Sequence, residues 1–246
     1  MHHITIRGVR IDDVTYADVT DCITGYIADG HPHHIVTVNP EFIMEAQHNE
    51  PFRHVLEQAD LATPDGFGLM LVSRWRKTPL RMRVTGVDLV THLTAAAAQR
   101  GWSIFFLGAA PGVAEQAAAI LSQSTPGLNI VGCYAGSPYP NEEQHIHTLI
   151  RQTQPDILFV AYGTPAQELW IARNRTALHA SVMIGVGGAF DFIAGVSPRA
   201  PLWVQKIGME WLYRLIKQPW RWRRMMLAVP LFLWSALRER TTSAQE

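Results

Sequence analysis

The feature that most constrains the fold is a regular alternation of short apolar runs with longer amphipathic segments. The runs are rich in β-branched and aromatic residues, and the segments after them have helical periodicity. Three such pairs are His34 to Val38 with Glu41 to Ala59, Ser103 to Leu107 with Val113 to Ser122, and Asp156 to Ala161 with Ala166 to Arg175. This pattern predicts repeated βα units, and therefore the α/β class with a doubly wound, mainly parallel, Rossmann-like sheet.

Polar residues and glycines are concentrated directly after the predicted strands: Thr37, Asn39, Asp65, Gly108, Gly163 and the run Gly185 to Gly188. In open α/β sheets, ligands bind at the carboxyl ends of the strands, where helix N-termini present N–H groups to anions. We therefore expect a ligand site at this one edge of the sheet.

Charge is divided unevenly along the chain. Residues 1–198 carry 12 Lys and Arg against 18 Asp and Glu, whereas residues 199–240 carry 9 against 2. Five of the eight tryptophans also lie beyond residue 200. We expect an α/β domain over residues 1–198 and a basic, Trp-rich appendage over 199–246, in which Trp203 to Lys217 forms an amphipathic helix. Trp and Arg beside an apolar stretch favour an anionic membrane surface as a partner.

The sequence favours a protein of the cytoplasm. Its N-terminus lacks an apolar signal segment, and Cys22 and Cys133 show no metal-type or disulfide-type spacing. Both thiols are expected to be buried, in a reducing compartment. The longest apolar stretch, Met225 to Leu237, has 13 residues, fewer than the roughly 20 that a membrane-spanning helix needs. This stretch is expected to lie on a membrane and not to cross it.

Familiar nucleotide-binding motifs are absent from the sequence. It contains no P-loop, no Gly-x-Gly-x-x-Gly in a first βα turn, and no Asp-x-Asp triplet that could hold a metal-bound nucleotide sugar. A bound diphosphate is therefore expected to be neutralised by arginines and helix N-termini, without a metal. The cluster of His31, His33 and His34 is expected to be solvated and not to bind a metal.

Several polar residues allow both a structural and a functional interpretation. Asp65, in the turn Thr-Pro-Asp-Gly, could cap the following helix or act as a general base that accepts a proton from an attacking hydroxyl. Asn39 could cap the helix that begins at Pro40, contact a ligand, or do both. Arg83 could form an exposed salt bridge or hold a phosphate. The residues alone leave these alternatives open.

Two further segments near strand ends suggest ligand contacts. Gly185, Gly187 and Gly188 are three glycines in four positions, a pattern that favours a loop closely approached by a nucleotide. Gln167 follows a predicted helix start, and its amide could reach a sugar hydroxyl. Glu168 beside it has the position of an acid in the first turn of that helix.

Taken together, these segments resemble the WecG/TagA/CpsF family of bacterial glycosyltransferases, glycosyltransferase family 26. The resemblance covers roughly residues 3 to 225. The matching stretches, in order, are Thr37-Val-Asn39, Thr63-Pro-Asp65-Gly66, Arg83-Val-Thr85-Gly86, Phe106-Leu-Gly108, Ala161-Tyr-Gly163-Thr-Pro-Ala-Gln167-Glu168, Gly185-Val-Gly-Gly-Ala-Phe-Asp191, Arg199-Ala-Pro201 and Glu210-Trp-Leu-Tyr-Arg214-Leu-Ile-Lys-Gln-Pro219.

The resemblance implies an inverting, metal-independent enzyme without a cofactor. Such an enzyme moves N-acetylmannosamine, its uronic acid or glucose from a UDP-sugar to a polyprenyl-diphosphate-linked sugar, for cell-surface polysaccharide or teichoic acid. It would act peripherally on the inner face of the bacterial cytoplasmic membrane. The resemblance also assigns roles: catalytic base, Asp65; substrate contacts, Thr37, Asn39, Arg83 and Gln167; nucleotide contacts, Gly108, Gly185, Val186, Gly187, Gly188 and Asp191; lipid-diphosphate contacts, Arg214, Arg221 and Arg224.

Other functional classes are kept as alternatives. A non-catalytic nucleotide- or lipid-binding module at the membrane would keep the glycine loop and the basic tail but would not need Asp65. A Rossmann oxidoreductase is disfavoured by the missing glycine fingerprint. No nucleic acid partner is expected, although the basic tail would suit one. An apolar tail exposed away from a membrane could also lead to homo-oligomers.

Overall fold

The computed structural model describes residues 1–206, 209–217, 230–236 and 238. Its strands are β1 (His3–Ile6), β2 (Val9–Asp12), β3 (His33–Val38), β4 (Leu61–Pro64), β5 (Ser103–Gly108), β6 (Asn129–Tyr134), β7 (Ile157–Ala161) and β8 (Val182–Gly185). Strands β1 and β2 form an antiparallel hairpin that the sequence pattern did not predict. The other six form a parallel sheet in the order β4-β3-β8-β7-β5-β6. The predicted mainly parallel sheet is therefore confirmed.

Helices connect the strands of this sheet. They are α1 (Tyr16–Asp29), α2 (Pro40–Ala46), α3 (Glu50–Glu57), α4 (Phe67–Trp75), α5 (Gly86–Arg100), α6 (Val113–Ser124), α7 (Pro140–Thr153), α8 (Ala166–Asn174), α9 (Ala189–Ile193), α10 (Leu202–Lys206) and α11 (Glu210–Lys217). Residues 230–236 are also helical.

Two long amphipathic segments are interrupted in the structure. The segment 41–59 forms α2 and α3 because Asn49 caps a new helix, its side chain accepting a hydrogen bond from the N–H of Phe52. The segment 203–217 is interrupted at Met209, which is not helical. The amphipathic segment 41–59 thus holds two helices, and the expectation of one helix over 203–217 was wrong.

Side chains alternate between the two faces of the sheet, as the pleat requires. On one face, Ile35, Phe106 and Phe159 join a cluster with α1, α5, α6 and α9. On the other face, Val36 and Val38 pack with α2, α3 and α4, and Leu158 and Val160 pack with α7 and α8. Helices therefore cover both faces, which confirms the doubly wound architecture.

The helical segment 230–236 contributes to the core. Phe232 and Ala236 are fully buried in the cluster formed by β1, β2, α2, α3 and α4, whereas Trp234 on the same segment is 54% exposed. A guanidinium nitrogen of Arg76 at the end of α4 donates a 2.9 Å hydrogen bond to the carbonyl oxygen of Ala236. Part of the apolar stretch 225–237 is thus packed against the α/β domain. No helix in the described ranges is long and apolar enough to cross a membrane.

Candidate functional site

A crevice opens where two neighbouring strands send their connections to opposite faces. Strand β3 pairs with β8. Helix α2, which follows β3, packs through Phe42 on one face, whereas α9, which follows β8, packs through Phe190 on the other. Divergence of two connections at the carboxyl ends of adjacent strands is the arrangement at which open α/β sheets bind ligands.

The crevice holds a cavity of about 170 Å³. Seven residues with predicted roles line it: Thr37, Asn39, Asp65, Gln167, Val186, Gly187 and Gly188. The other lining residues include Glu41, Gly86, Thr164 and Phe192. Residues from five separate loops and strand ends are thereby brought to one place. This agrees with the ligand site predicted at this edge of the sheet.

Asp65 is held between two elements of the crevice. Its backbone N–H donates to the carbonyl oxygen of Val38 at 2.7 Å, and its Oδ2 accepts a 3.1 Å hydrogen bond from the N–H of Gly86. The cap of α4 is Gly66, without a side-chain hydrogen bond. Asp65 therefore does not cap the helix that follows it; its carboxylate lies at the start of α5 instead.

The turn that carries Asp65 depends on close packing against the start of α2. Gly66 has a φ of +149°, and a Cβ there would lie 2.8 Å from Cδ of Pro40. Any side chain would therefore push the turn away from α2. Pro40 is the first residue of α2, directly after Asn39. The end of β4 is therefore packed against the end of β3.

The polar side chains at the end of β3 are tied to the backbone. Asn39 caps α2, its Oδ1 accepting from the N–H groups of Glu41 at 2.9 Å and Phe42 at 3.1 Å. The capping interpretation of Asn39 is confirmed. The hydroxyl of Thr37 donates a 3.0 Å hydrogen bond to the carbonyl oxygen of Gly185, which joins β3 to the start of the glycine loop.

Gln167 connects two loops at the floor of the crevice. Its Oε1 accepts hydrogen bonds from the N–H of Gly163 at 3.1 Å and from the N–H of Gly187 at 2.9 Å. Its Nε2 donates to Oε1 of Glu168 at 2.9 Å. The other oxygen of Glu168 lies 2.6 Å from Nε2 of His34. His34 is only 1% exposed, so the expectation that it would be solvated was wrong.

The glycine loop has a mixed structure. Gly187 adopts a φ of +55°, and Gly187 and Gly188 line the crevice. Gly185 belongs to β8, where a Cβ would collide with the side chains of Gln167 and Glu168. Its lack of a side chain therefore makes room for those two residues.

Besides Gly185, two further predicted nucleotide contacts lie away from the lining of the cavity. Gly108 ends β5 with a φ of +105°, and a Cβ there would lie 2.7 Å from the carbonyl carbon of Ala161. Asp191 lies in α9, and its carbonyl oxygen accepts a hydrogen bond from the N–H of Ser197. Their predicted nucleotide contacts stay predictions.

Arginines close to the crevice are paired with carboxylates. The segment 78–85 is irregular and not a strand. Arg83 lies on it, and its guanidinium is 3.7 Å from a carboxylate oxygen of Glu210 in α11. Arg199 forms a two-pronged contact with Asp88, with N–O distances of 2.5 and 2.7 Å. Both pairs join residues beyond 198 to the region where α5 begins.

Asp88 is held in its ionised form by these partners. Burial by itself would raise the pKa of Asp88, but hydrogen bonds from Arg199 and Thr85 and the charges of Arg199 and Arg83 outweigh it and lower that pKa. Tyr16 accepts a 3.2 Å hydrogen bond from the N–H of Thr85. Burial, together with the negative charge of Asp88, raises the pKa of Tyr16, so its hydroxyl stays protonated at neutral pH.

The three arginines predicted to contact the lipid diphosphate lie largely outside the described residues. The backbone of Arg214 belongs to α11, but its side chain lies outside the described parts of the chain, as do Arg221 and Arg224 entirely. Among the described residues, no group of three or more His, Cys, Asp or Glu has an arrangement that could hold a metal ion.

Sequence reasoning missed the buried partners of the site. His34 and Glu168 lie 134 residues apart and were interpreted as a solvated histidine and a first-turn acid. Gln167 and Glu168 follow the cis peptide bond Thr164-Pro165, and nothing in the sequence around them indicates that they are buried. The one usable signal was the position of His34 inside an apolar run, where an unpaired polar side chain would be costly.

Comparison with known proteins places the chain among transferases. The family model described as "Glycosyl transferase WecG/TagA/CpsF family" matches residues 4–246. A protein of Bacillus spizizenii named N-acetylglucosaminyldiphosphoundecaprenol N-acetyl-beta-D-mannosaminyltransferase is 35% identical over 96% of this chain and 90% of its own length. Proteins with the same name from Bacillus subtilis and Staphylococcus aureus are 35% and 30% identical, over 83% and 94% of this chain and 79% and 91% of their own lengths.

Proposed function

Because the chain belongs to the WecG/TagA/CpsF family and is a glycosyltransferase, we propose that it transfers a sugar from a UDP-sugar to a polyprenyl-diphosphate-linked sugar. The relatives named above are N-acetylmannosaminyltransferases, so N-acetylmannosamine is the first choice of donor sugar. Its uronic acid and glucose are the alternatives. The product would be a lipid-linked intermediate of cell-surface polysaccharide or teichoic acid.

The observation that carries this proposal is that Asp65 and the glycine loop line the same crevice. An aspartate carboxylate placed beside an attacking hydroxyl can act as a general base and accept its proton. In the proposed reaction the acceptor hydroxyl loses its proton to Asp65 as its oxygen attacks the anomeric carbon. The bond from that carbon to the UDP oxygen breaks in the same step, and the configuration inverts.

The departing UDP gains negative charge that must be stabilised. We propose that the backbone N–H of Gly188 and the guanidinium of Arg83 provide this stabilisation without a metal. Donors fixed in position before the reaction stabilise such charge well, because they need no reorganisation. Arg83 would exchange its contact with Glu210, now at 3.7 Å, for a phosphate oxygen.

The lipid end of the acceptor would be met by residues beyond 198. Exposed apolar side chains in the described part of this region include Trp203, Met209, Ile216, Leu231 and Trp234. The excess of basic residues in 199–240 adds attraction to anionic lipids, about 1 kcal/mol for each Lys or Arg near the surface. We propose peripheral binding to the cytoplasmic face of the membrane, with Arg214, Arg221 and Arg224 near the lipid diphosphate.

A donor screen tests the proposed reaction. UDP-N-acetylmannosamine, its uronic acid form and UDP-glucose would each be incubated with a short-chain polyprenyl diphosphate bearing N-acetylglucosamine, with and without a chelator. Transfer from one donor, with inverted configuration by NMR and no loss of rate with chelator, is the expected result. Nucleotide binding without transfer to any acceptor would favour the non-catalytic module instead.

A further inference from the structure

A chain of buried hydrogen bonds runs from the middle of the sheet to the crevice. It begins at His34 on β3, passes through Glu168 and Gln167 on α8, and ends at the backbone N–H groups of Gly163 and Gly187. The exposed fractions of the first two side chains are 1% and 0%. We call these five residues the His34–Gly187 chain.

The orientation of the Gln167 amide is fixed by what surrounds it. A backbone N–H can only donate a hydrogen bond and an ionised carboxylate can only accept one. The amide oxygen therefore faces Gly163 and Gly187, and the amide nitrogen faces Glu168. A rotated amide would place its oxygen against the carboxylate and its NH₂ group against two donors, so the two N–H groups and Glu168 together select one of two orientations that have the same shape.

This orientation limits what Gln167 can offer a ligand. Its oxygen already accepts two hydrogen bonds, and one of its two N–H groups is used by Glu168. Gln167 is itself 1% exposed although it lines the crevice. Its main contribution is therefore to hold the loop after β7 and the loop after β8 at a fixed separation and with fixed directions of their N–H groups.

A buried carboxylate needs a reason to be there. A carboxylate at this depth is costly unless it is paired and hydrogen-bonded. Glu168 obtains His34 and Gln167 as partners only because Gly185 has no side chain to collide with it. The buried carboxylate of Glu168 is thus accommodated by β3, β8 and α8, and it is linked to the crevice through Gln167.

We propose that Glu168 and His34 are positioning residues of the transferase site, which act through Gln167 to fix the backbone of the loops that hold Gly163 and Gly187 around the donor diphosphate. Neither residue touches the substrate. This inference rests on the proposed function, because it names what the glycine loop is positioned to bind.

A double-mutant cycle tests the proposal on the full chain. Glu168→Gln keeps the shape of the side chain but replaces a carboxylate with an amide that can also donate, so the constraint on the orientation of the Gln167 amide is weakened. We expect kcat to fall by about tenfold to a hundredfold, since small errors of position cost this much. Combining Glu168→Gln with Gln167→Ala should be no worse than Gln167→Ala alone, because residues that act through one another are not additive.

The same helix provides a matched control. Asn174 on α8 is buried, and its Oδ1 lies 2.6 Å from Nε2 of His147, away from the crevice. Asn174→Ala should lower Tm while kcat stays within about twofold of the wild type, because this pair lies outside the His34–Gly187 chain. If Asn174→Ala lowered both kcat and Tm as much as Glu168→Gln does, the loss of activity would reflect a general effect on folding, and the proposal would be overturned.

Amide hydrogen exchange gives a readout independent of catalysis. The N–H groups of Gly163 and Gly187 should exchange faster in Glu168→Gln than in the wild type, and at the wild-type rate in Asn174→Ala. His34→Leu, which removes the donor to Glu168, should also speed this exchange, whereas His34→Gln, which keeps a side-chain N–H, should restore it. These His34 variants decide the matter if Glu168→Gln does not fold.

The outcomes separate the two proposals. Additive losses in the cycle, or unchanged exchange at both glycines in the variants, would overturn the positioning role even if the wild type transfers sugar. A wild-type protein that transfers no sugar from any donor would overturn the proposed function, while faster exchange at Gly187 would still show that Glu168 sets the loop.

Discussion

The two edges of the sheet use carboxylates in the same way but for different ends. At the edge where strands begin, Asp156 accepts from the N–H of Ser103 at 2.7 Å, and Asp12 accepts from the N–H of Ala62 at 2.8 Å. At the edge where strands end, Asp65 accepts from the N–H of Gly86 at 3.1 Å. Every one of these contacts satisfies a backbone donor that would otherwise lose a partner.

What differs is what lies beside each carboxylate. Asp156 also accepts from the hydroxyl of Ser103, whose oxygen in turn accepts from the N–H of Asp156, and Asp12 is 5% exposed. Asp65 lines an open cavity. Local hydrogen bonding alone therefore does not distinguish a structural from a catalytic carboxylate, and the catalytic role proposed for Asp65 rests on the cavity beside it. The comparison predicts that variants at the two edges separate activity from stability.

The largest expected effect is on activity at Asp65. Asp65→Asn keeps an oxygen that can accept from Gly86 but removes the base, so kcat should fall by roughly 10² to 10⁴. Tm and UDP binding should stay close to those of the wild type. The transfer assay, calorimetry and UDP titration measure these three quantities. A near-normal kcat for Asp65→Asn would mean that Asp65, like Asp156 and Asp12, has only a structural role.

A second substitution probes the packing beneath the crevice. Gly185→Ala adds a Cβ where Gln167 and Glu168 lie, and overpacking of this kind costs about 1–3 kcal/mol. Both the free energy of unfolding and kcat should fall, as measured by urea denaturation and the transfer assay.

Gly25 supplies the control for that substitution. It lies in α1, where an added Cβ would meet nothing within 4 Å. Gly25→Ala should therefore stabilise the protein by roughly 0.5–1 kcal/mol, because alanine favours the helix. Equal responses at the two glycines would contradict the close packing at Gly185.

At the opposite edge, stability should change and activity should not. Asp156→Ala leaves the N–H and hydroxyl of Ser103 without their acceptor, which costs about 1–3 kcal/mol. In thermal and urea unfolding the variant should be less stable, while kcat at a temperature where it remains folded should match that of the wild type. A fall in kcat as large as that of Asp65→Asn would break the comparison.

The smallest effect concerns a carboxylate near the crevice that does not line it. The pKa of Asp88 is lowered in the folded protein, so Asp88 contributes stability above its unfolded pKa and loses that contribution as pH falls through its folded pKa. Asp88→Asn should lower Tm at pH 7, and the difference from the wild type should shrink as the pH is taken below about 3.9. A Tm difference that grows in acid would reverse the assigned sign.

Much of the frame could be predicted because it depends on local pattern. The strands predicted to begin at His34, Ser103 and Asp156 lie within a residue or two of their observed bounds, because apolar runs indicate burial directly. The capping role of Asn39 was equally readable, because a cap and its helix are adjacent in sequence. The placement of polar residues at one sheet edge followed from the parallel topology.

What could not be predicted depends on contacts distant in sequence. The helix start that Asp65 contacts is 21 residues away, and the acid that buries itself with His34 is 134 residues away. Gly185 was interpreted as part of a nucleotide loop, although the space it leaves is occupied by protein side chains. The local sequence indicates that a side chain is excluded at Gly185, but it does not show which distant residues occupy the space.

The burial of Phe232 bears on where the protein can be cut. Its ring lies 3.2 Å from where a Cβ on Gly68 would be, so the last described helical segment covers the first turn of α4, which begins two residues after Asp65. A shortened chain ending near residue 200 would bare this apolar patch, and we expect it to aggregate on purification. The helical segment 230–236 thus covers part of the core, close behind the proposed base.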